Sequence, residues 1–415
     1  MKVVFLEASS GSVVGGSLTG MLELLRGLDR TRITPSVVLY EHKPCVGALE
    51  ADGVPVAVFE RKRLPKEHRM QQAPGYERAK SVGAISALLW FARITVTFFL
   101  ETVPAALRLR RMLSDLHPDV VYACNGFRGN ADAILAARLM RVPCVVHAKG
   151  FDKWTWVERW LSRSVAACVS MTKAIEDHCR AGGMRPAFFE VIYDGLDLGS
   201  FRPVRSASDV RAELGIPTGA EVAGVVGNLQ PWKGQHVLVE ALALLRDRRP
   251  GLRALLVGGT HRSGAAYAGE IRALAEAKGV SSRVLWTGSR PDVPDLMNAM
   301  DVVVHTSVRG EPFGRVIIEG MAVGRPVVAT RAGGVPEFVH DGVDAVLVSP
   351  GDAQALAATL DEILGSSQVR ERLARGARAA AARFALPCHV AAMTAVFEKA
   401  AAVPAGRAAA VGASV

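Results

Sequence analysis

Short β-rich runs alternate with amphipathic helix-length runs along nearly the whole chain, and this alternation restricts the fold more than any single motif does. Runs at Lys2–Glu7, Pro35–Tyr40, Val54–Phe59, Val120–Ala123 and Cys144–His147 are compact and apolar, bounded by turn residues, as buried strands are. Helical spacing of apolar residues fills the intervals, for example from Leu18 to Leu28 and from Asn130 to Met140. A second series opens at Val222–Gly227 and continues through Ala254–Gly258, Val284–Gly288, Val302–His305, Val327–Ala329 and Ala345–Val348. Alternating strands and helices imply an α/β fold with mostly parallel, doubly wound sheets. With 415 residues the chain is too long for a single core, so two such domains in tandem are expected. Glu190–Phe201 reads as a strand ending in a turn at Asp194-Gly195, and the polar residues Pro203–Asp209 mark the linker. The expected division is a first domain over 1–200 and a second over 201–386. A C-terminal helix over 387–402 is expected to turn back towards the first domain, followed by a disordered Ala/Gly tail over 403–415.

Charge narrows the partners. The net charge is +10, but the segment from Arg61 to Arg111 holds eleven basic residues against Glu67, Glu77 and Glu101, which accounts for +8 of it. The rest of the chain is close to neutral, so no nucleic-acid partner is expected. Within that segment Val82–Leu100 is largely apolar and carries one charge, Arg93. Its length approaches a membrane span, yet a central arginine would cost roughly 2.5–3.5 kcal/mol there, and cationic residues flank both ends. The segment (about 61–111) is therefore expected to form a helix pair lying against an anionic membrane surface, in preference to a core helix or a true span. Cys45, Cys124, Cys144, Cys168, Cys179 and Cys388 show no metal or disulfide spacing and suit a reducing cytoplasm. The apolar run at the N-terminus is too short for a signal peptide and reads as a strand.

Three loops carry the chemistry. After the first strand, a loop containing Gly15 and Gly16 leads into a helix, without the spacing of a dinucleotide fingerprint. In the second domain the strand at Val222 leads through Asn228 to Lys233-Gly234 and a helix, which puts a cation at a strand-to-helix turn where phosphates bind. Asp301–Glu337 contains a strand, a polar loop, and a helix opening at Gly314 and stopping at Gly324 before Pro326. Its N-terminus is an anion-seeking feature that can share one crevice with Lys233. Glu311 lies on a loop, Gly310-Glu-Pro-Phe-Gly, whose backbone geometry is fixed by Pro312 and Gly314, which suits a functional carboxylate. Glu319, flanked by Val316, Ile317, Ile318 and Met321, is either paired to a local arginine or an acceptor for a ribose diol. Neither D-x-D nor HExxH, G-x-S-x-G or a P-loop is present.

Glu311 and Glu319 in E-x7-E spacing, Phe313-Gly314, the later Gly333-Gly334 with Glu337, Lys233-Gly234, Val191-Ile-Tyr-Asp-Gly-Leu-Asp and Asp341-Gly with Val348-Ser-Pro-Gly-Asp together resemble the glycogen-synthase-like retaining glycosyltransferases of family 4. The resemblance covers nearly the whole chain. It implies the GT-B fold, two Rossmann-like domains facing each other across a cleft. It further implies transfer of a sugar, with retention, from a nucleoside-diphosphate sugar held mainly by the second domain to an acceptor hydroxyl held by the first. On that reading Glu311 bonds the donor sugar and Glu319 the ribose. Lys233 and the backbone of Phe313, Gly314, Arg315 and Val316 hold the diphosphate, which Gly15-Gly16 approach from the other domain. No metal and no further cofactor are required. The sequence departs from the family pattern twice: Asn228 stands where an arginine is usual, with Arg315 a candidate replacement, and Lys149 stands where a histidine is usual, two positions after His147. Lys149 is then a cation for the diphosphate or for an anionic acceptor. The basic-hydrophobic insert suggests a lipid-linked saccharide as acceptor, in cell-surface polysaccharide or glycolipid synthesis, and a peripheral position on the cytoplasmic membrane face. The alternatives are a sugar-nucleotide epimerase of the same architecture and an inactive sugar-nucleotide-binding protein.

Overall fold

The computed structural model describes residues 1–9, 16–61, 83–260 and 264–403. Gly15, the first part of the basic insert (62–82) and the C-terminal tail from 404 onward lie outside the described residues. The chain divides into two compact units, Met1–Ile192 with Val390–Val415, and Tyr193–His389.

The first unit is built on a seven-stranded sheet of order β3-β2-β1-β4-β5-β6-β7. Its strands are β1 (Lys2–Glu7), β2 (Thr34–Leu39), β3 (Val56–Val58), β4 (Val120–Ala123), β5 (Cys144–Ala148), β6 (Ala167–Ser170) and β7 (Phe188–Val191). Every neighbouring pair is parallel; Phe5, for instance, lies beside Val37 on one side and Tyr122 on the other. Val3 to Leu6 and Val120 to Val121 are 0% exposed, as strands covered on both faces must be. Strand β6 has no counterpart in the sequence expectation. Its Ala-Cys-Val-Ser run has too few branched residues to stand out, yet all four are buried between β5 and β7.

The second unit has a six-stranded parallel sheet of order β10-β9-β8-β11-β12-β13. Its strands are β8 (Val222–Val226), β9 (Arg253–Val257), β10 (Val284–Gly288), β11 (Val302–Val304), β12 (Val327–Thr330) and β13 (Val346–Val348). Both sheets are therefore doubly wound. The strand order reverses between β1 and β4 in one and between β8 and β11 in the other, and such switch points leave a crevice beyond the carboxyl ends of the strands.

The described part of the insert forms one continuous helical stretch, and the rest of the expected helix pair falls on residues 62–82, outside the described residues. Helix Gly83–Thr97 passes through a π-helical turn, Phe98–Thr102, into helix Val103–Leu116, and His117 ends it in a left-handed conformation (φ 46°). A π turn inserts one residue into the ladder without breaking it, which is why the two segments continue as one rod. Among the described residues Ala87–Leu116 is long and apolar enough to cross a membrane by length and composition. Its two halves differ. Ala105, Ala106, Leu109 and Leu113 are buried in the unit's core, whereas Leu88, Trp90, Phe91, Val96, Phe99 and Leu100 are exposed.

The C-terminal helix Leu386–Ala401 contributes Phe397 to the first unit's core. The ring meets Phe5 and Tyr122 edge-on at 5.9 and 5.3 Å. Removing a buried phenyl group costs the transfer free energy and leaves a cavity, so Phe397→Ala is expected to lower the unfolding free energy by about 3–5 kcal/mol, measured by urea denaturation followed through aromatic circular dichroism.

Candidate active site

The second unit's switch-point crevice is assembled from loops that follow β8, β11 and β12. After β8 the chain passes Asn228 into one 3-10 turn, Pro231–Lys233, and then helix Gln235–Leu244. This lysine loop is pinned to the end of β11. Thr306 Oγ1 donates to the Lys233 carbonyl (2.9 Å) and the Val308 amide donates to the Trp232 carbonyl (2.9 Å). Gly234 makes the approach possible: its φ is +68°, and a Cβ there would lie 2.1 Å from the Thr306 carbonyl oxygen.

The result is a buried carboxylate with an unequal environment at its two oxygens. Glu311 Oε2 accepts from Ser307 Oγ (2.7 Å), Lys233 Nζ (2.8 Å) and His305 Nε2 (3.1 Å). Among the described residues no hydrogen bond reaches Oε1. The His305 tautomer follows from its other neighbour. The Thr330 amide can only donate, and it faces Nδ1 at 3.4 Å, so Nδ1 accepts and Nε2 carries the proton given to Glu311. Lys233 also lies against the Trp232 ring, 4.1 Å from its centroid, which leaves ammonium protons for a ligand.

Burial pushes the Glu311 carboxyl up, but the His305 and Lys233 donors and the Lys233 charge outweigh it and hold the pKa at about 2 against the usual 4.5. The group is thus a fixed anion. Its backbone is fixed as well: the Glu311 carbonyl accepts the Gly334 amide (2.9 Å), and Gly333 (φ +63°) lies so close that a Cβ would be 2.2 Å from that oxygen. The second glycine pair is thereby explained as the surface on which the Glu311 backbone rests.

Helix Arg315–Val323 starts at Gly314 with no side-chain cap. Phe313 is fully buried, packed on Tyr193, Phe338 and Phe384 with ring centroids 6.0, 4.8 and 6.1 Å away. Its side chain anchors the loop, so only its backbone is available to a ligand. Val316 is half-buried in the first turn. Glu319 is paired with Arg315 one turn earlier on the same helix (Nε to Oε1 3.0 Å), with both side chains more than four-fifths buried. The local arginine pair that the sequence allowed for Glu319 is thus present. That pair also engages Arg315, whose guanidinium reaches the Gly195 carbonyl as well (3.4 Å). Asn228 is exposed at the loop tip, where its carbonyl accepts from Gln235 Nε2 (3.1 Å).

Lys149 and Gly16 belong to the first unit. Lys149 follows β5 directly, and Gly16 is the first residue of helix Gly16–Gly27, two residues earlier than the expected start. His147 points into the core, its Nδ1 2.6 Å from the Tyr122 hydroxyl. At this unit's switch point a polar cluster appears that sequence reasoning missed. Glu7, 0% exposed at the end of β1, accepts from the Ser9 amide (3.0 Å), Ser17 Oγ (3.0 Å) and Asn125 Nδ2 (3.0 Å). The sequence showed Glu7 only as the last residue of a strand; a carboxylate there, next to a Ser/Gly loop, was the available signal. His305 and Ser307 were missed for a similar reason, having been read as the end of a strand and a polar loop.

Two doubly wound parallel sheets, one with a lysine, a held carboxylate and an uncapped helix start at its switch point, define a GT-B-type protein. Residues 206–380 match the family model of group 1 glycosyl transferases, and residues 15–195 match the glycosyl transferase 4-like domain. The chain belongs to the family 4 glycosyltransferases. It is similar over 96% of its length, and all of the other chain's, to the crystal structure of Anabaena HepE in complex with UDP, at 28% identity and a TM-score of 0.78. The same protein in complex with UDP-glucose gives 27% identity and a TM-score of 0.76, covering 97% of this chain and 100% of that one. The D-inositol 3-phosphate glycosyltransferase of Corynebacterium urealyticum is 39% identical over 200 residues, 47% of each chain, so the matched stretch spans about half the length of that relative.

The depressed Glu311 pKa sets a pH test. A carboxyl whose folded pKa lies below its unfolded value adds stability that is present above about pH 4.5 and lost as pH falls towards about 2. Glu311→Gln is expected to be less stable than the wild type at pH 7, by an amount on the order of 3 kcal/mol. The gap, read from urea midpoints, is expected to close progressively below pH 4.5.

Proposed function

We propose that the protein transfers a glycosyl group from a nucleoside-diphosphate sugar, with UDP as the base-bearing half, to an acceptor hydroxyl held by the first unit. The observation that carries this reading is Glu311, ionised and held through Oε2, with no hydrogen bond to Oε1 among the described residues. A carboxylate prepared in this way accepts hydroxyl protons from the donor sugar and stabilises positive charge as it grows at the anomeric carbon. UDP is favoured because the Anabaena relative was crystallised with UDP and UDP-glucose.

In the proposed reaction the bond from the anomeric carbon to the diphosphate oxygen breaks while the acceptor oxygen bonds to that carbon from the same face. The acceptor proton passes to the departing diphosphate, and configuration is retained. Charge on the leaving group is met by Lys233 and by the backbone amides from Phe313 to Val316 at the uncapped helix start, donors already in place before the reaction. Glu319, oriented by Arg315, accepts from the ribose. These groups supply the positive charge themselves, so the proposed reaction requires no metal or other cofactor, and activity is expected to be unchanged in EDTA.

The acceptor we propose is a lipid-linked saccharide of cell-surface polysaccharide or glycolipid synthesis, met at the cytoplasmic face of the membrane. Support comes from the exposed apolar residues Leu88 to Leu100 beside the basic segment. At 1.5 Å per residue that exposed stretch is about 20 Å long, short of the roughly 30 Å hydrocarbon core, and the helix that continues it packs one face, Ala105, Ala106, Leu109 and Leu113, into the protein. It suits a surface-lying anchor.

Transfer from labelled UDP-sugars to membrane-lipid acceptors tests the function. Lys233→Ala and Glu311→Ala are each expected to lower kcat/KM by about 10²- to 10³-fold. Wild-type protein that binds UDP-sugars but turns none over would identify an inactive binder. Replacing Phe91, Phe99 and Leu100 together by Ala is expected to abolish co-sedimentation with anionic vesicles; unchanged sedimentation would remove the membrane reading.

A further inference from the structure

The first unit holds a cleft of about 320 Å³ that the donor chemistry does not use. It lies where the loops after β3, β4 and β5 meet the π-helical turn, and its volume is at the low end of small-ligand sites. One corner is rigid. Arg61 forms a two-pronged pair with Asp132 (Nε to Oδ2 3.0 Å, terminal nitrogen to Oδ1 2.6 Å), while the same terminal nitrogen donates to the Gly129 carbonyl (2.9 Å). Asp132 is 1% exposed and also accepts from the Tyr40 hydroxyl (3.0 Å). Across the cleft Glu158 is locked as the third residue of a capping box with Thr155, and Arg128 stands 3.6 Å from its other oxygen.

The lining is balanced in charge. Three guanidinium groups, those of Arg61, Arg93 and Arg128, face three carboxylates, those of Glu101, Asp132 and Glu158. An anion would meet arginines whose charge is already matched. A polyhydroxylated neutral ligand has both donors and acceptors, and fixed carboxylates and guanidiniums supply the complements of both. One wall is apolar, formed by Ile94, Phe98 and Val157, with Phe98 held edge-on against Trp156 and Trp160 at 5.6 and 5.9 Å. A sugar ring presents such a pair of surfaces, C–H faces and hydroxyl edges. The wall continues along the same helical stretch into exposed Phe91, Phe99 and Leu100.

We propose that this cleft binds the saccharide head of an amphiphilic acceptor, with the apolar chain leaving along Phe91, Phe99 and Leu100. Calling the ligand an acceptor rests on the transfer reaction proposed for the second unit; the binding itself does not. Arg61 and Asp132, held by their two-pronged pair, and Glu158, held by its capping box, are ordered before the head arrives, which lowers the entropic cost of binding.

The test uses dodecyl maltoside below its critical micelle concentration as probe, with maltose as its head alone and dodecyl phosphate as an anionic amphiphile of the same chain length, followed by tryptophan fluorescence of the full chain. Saturable dodecyl maltoside binding is expected, at least tenfold tighter than maltose, and not displaced by equimolar dodecyl phosphate. Arg128→Ala and Glu101→Gln are expected to weaken it at least fivefold, and Phe99→Ala to weaken dodecyl maltoside but not maltose. A thermal shift of each variant by UDP, equal to that of the wild type, serves as the folding control. Unchanged affinity in Arg128→Ala and Glu101→Gln, or dodecyl phosphate binding more tightly than dodecyl maltoside, overturns the proposal. Dodecyl maltoside binding without any UDP shift in the wild type would sink the donor reading and leave the cleft standing; the converse would sink the cleft alone.

Discussion

Three hydrogen-bond donors converge on one oxygen of Glu311, and the second unit is arranged so that they can. An ionised carboxylate this deeply buried is costly unless charge and hydrogen bonds replace its water. The replacements come from separate stretches of chain: Lys233 from the loop after β8, His305 and Ser307 from the end of β11. A third stretch, the end of β12 and the loop after it, supplies Thr330 behind His305 and Gly333 and Gly334 beneath the Glu311 backbone. These segments become neighbours only because β8, β11 and β12 are adjacent in the sheet, although they are far apart in sequence. The strand order is thus the means by which the charge is neutralised, and the ion pair in turn fixes the loops at the strand ends.

That dependence explains what could and could not be read in advance. The strands were visible because parallel, doubly covered strands are apolar throughout, and β4 and β10 begin and end where their sequence runs do. Glu311 and Lys233 stood out because glycine and proline around them marked loops under geometric constraint. His305 did not, since a histidine at a strand end has the same appearance whether it faces solvent or a carboxylate six residues on. Its role depends on Thr330, which is brought beside it only by the β11–β12 pairing. Glu7 was hidden in the same way, because Asn125 reaches it through the β1–β4 pairing. Strand β6 escaped notice through its composition. The Arg315–Glu319 pair lies within one helix and was open to reading, but spacing alone does not separate an ion pair from a ligand contact.

The first unit treats its charges differently. Glu311 is one anion surrounded by donors, whereas the cleft beside the π-helical turn sets matched arginine–carboxylate pairs against an aromatic wall. A nucleoside diphosphate can be met by Lys233 together with the backbone amides of an uncapped helix start, whereas sugar hydroxyls call for both donors and acceptors. The helical stretch beside the cleft adds a second asymmetry: after Val103 one face is buried through Ala105, Ala106, Leu109 and Leu113, while before it Leu88, Trp90, Phe91, Val96, Phe99 and Leu100 are exposed. That exposed apolar face is the feature on which the proposed contact with a membrane surface rests.

The central claim is that Glu311 is held through Oε2 so that Oε1 can meet the donor sugar. Calorimetric titration of the wild type and Glu311→Gln with UDP and with UDP-glucose tests it most directly. The account predicts that the substitution weakens UDP-glucose binding by at least tenfold while leaving UDP affinity within twofold of the wild type. Equal losses for both ligands would contradict it, and would make Glu311 a structural partner of Lys233 with no part in recognising the sugar.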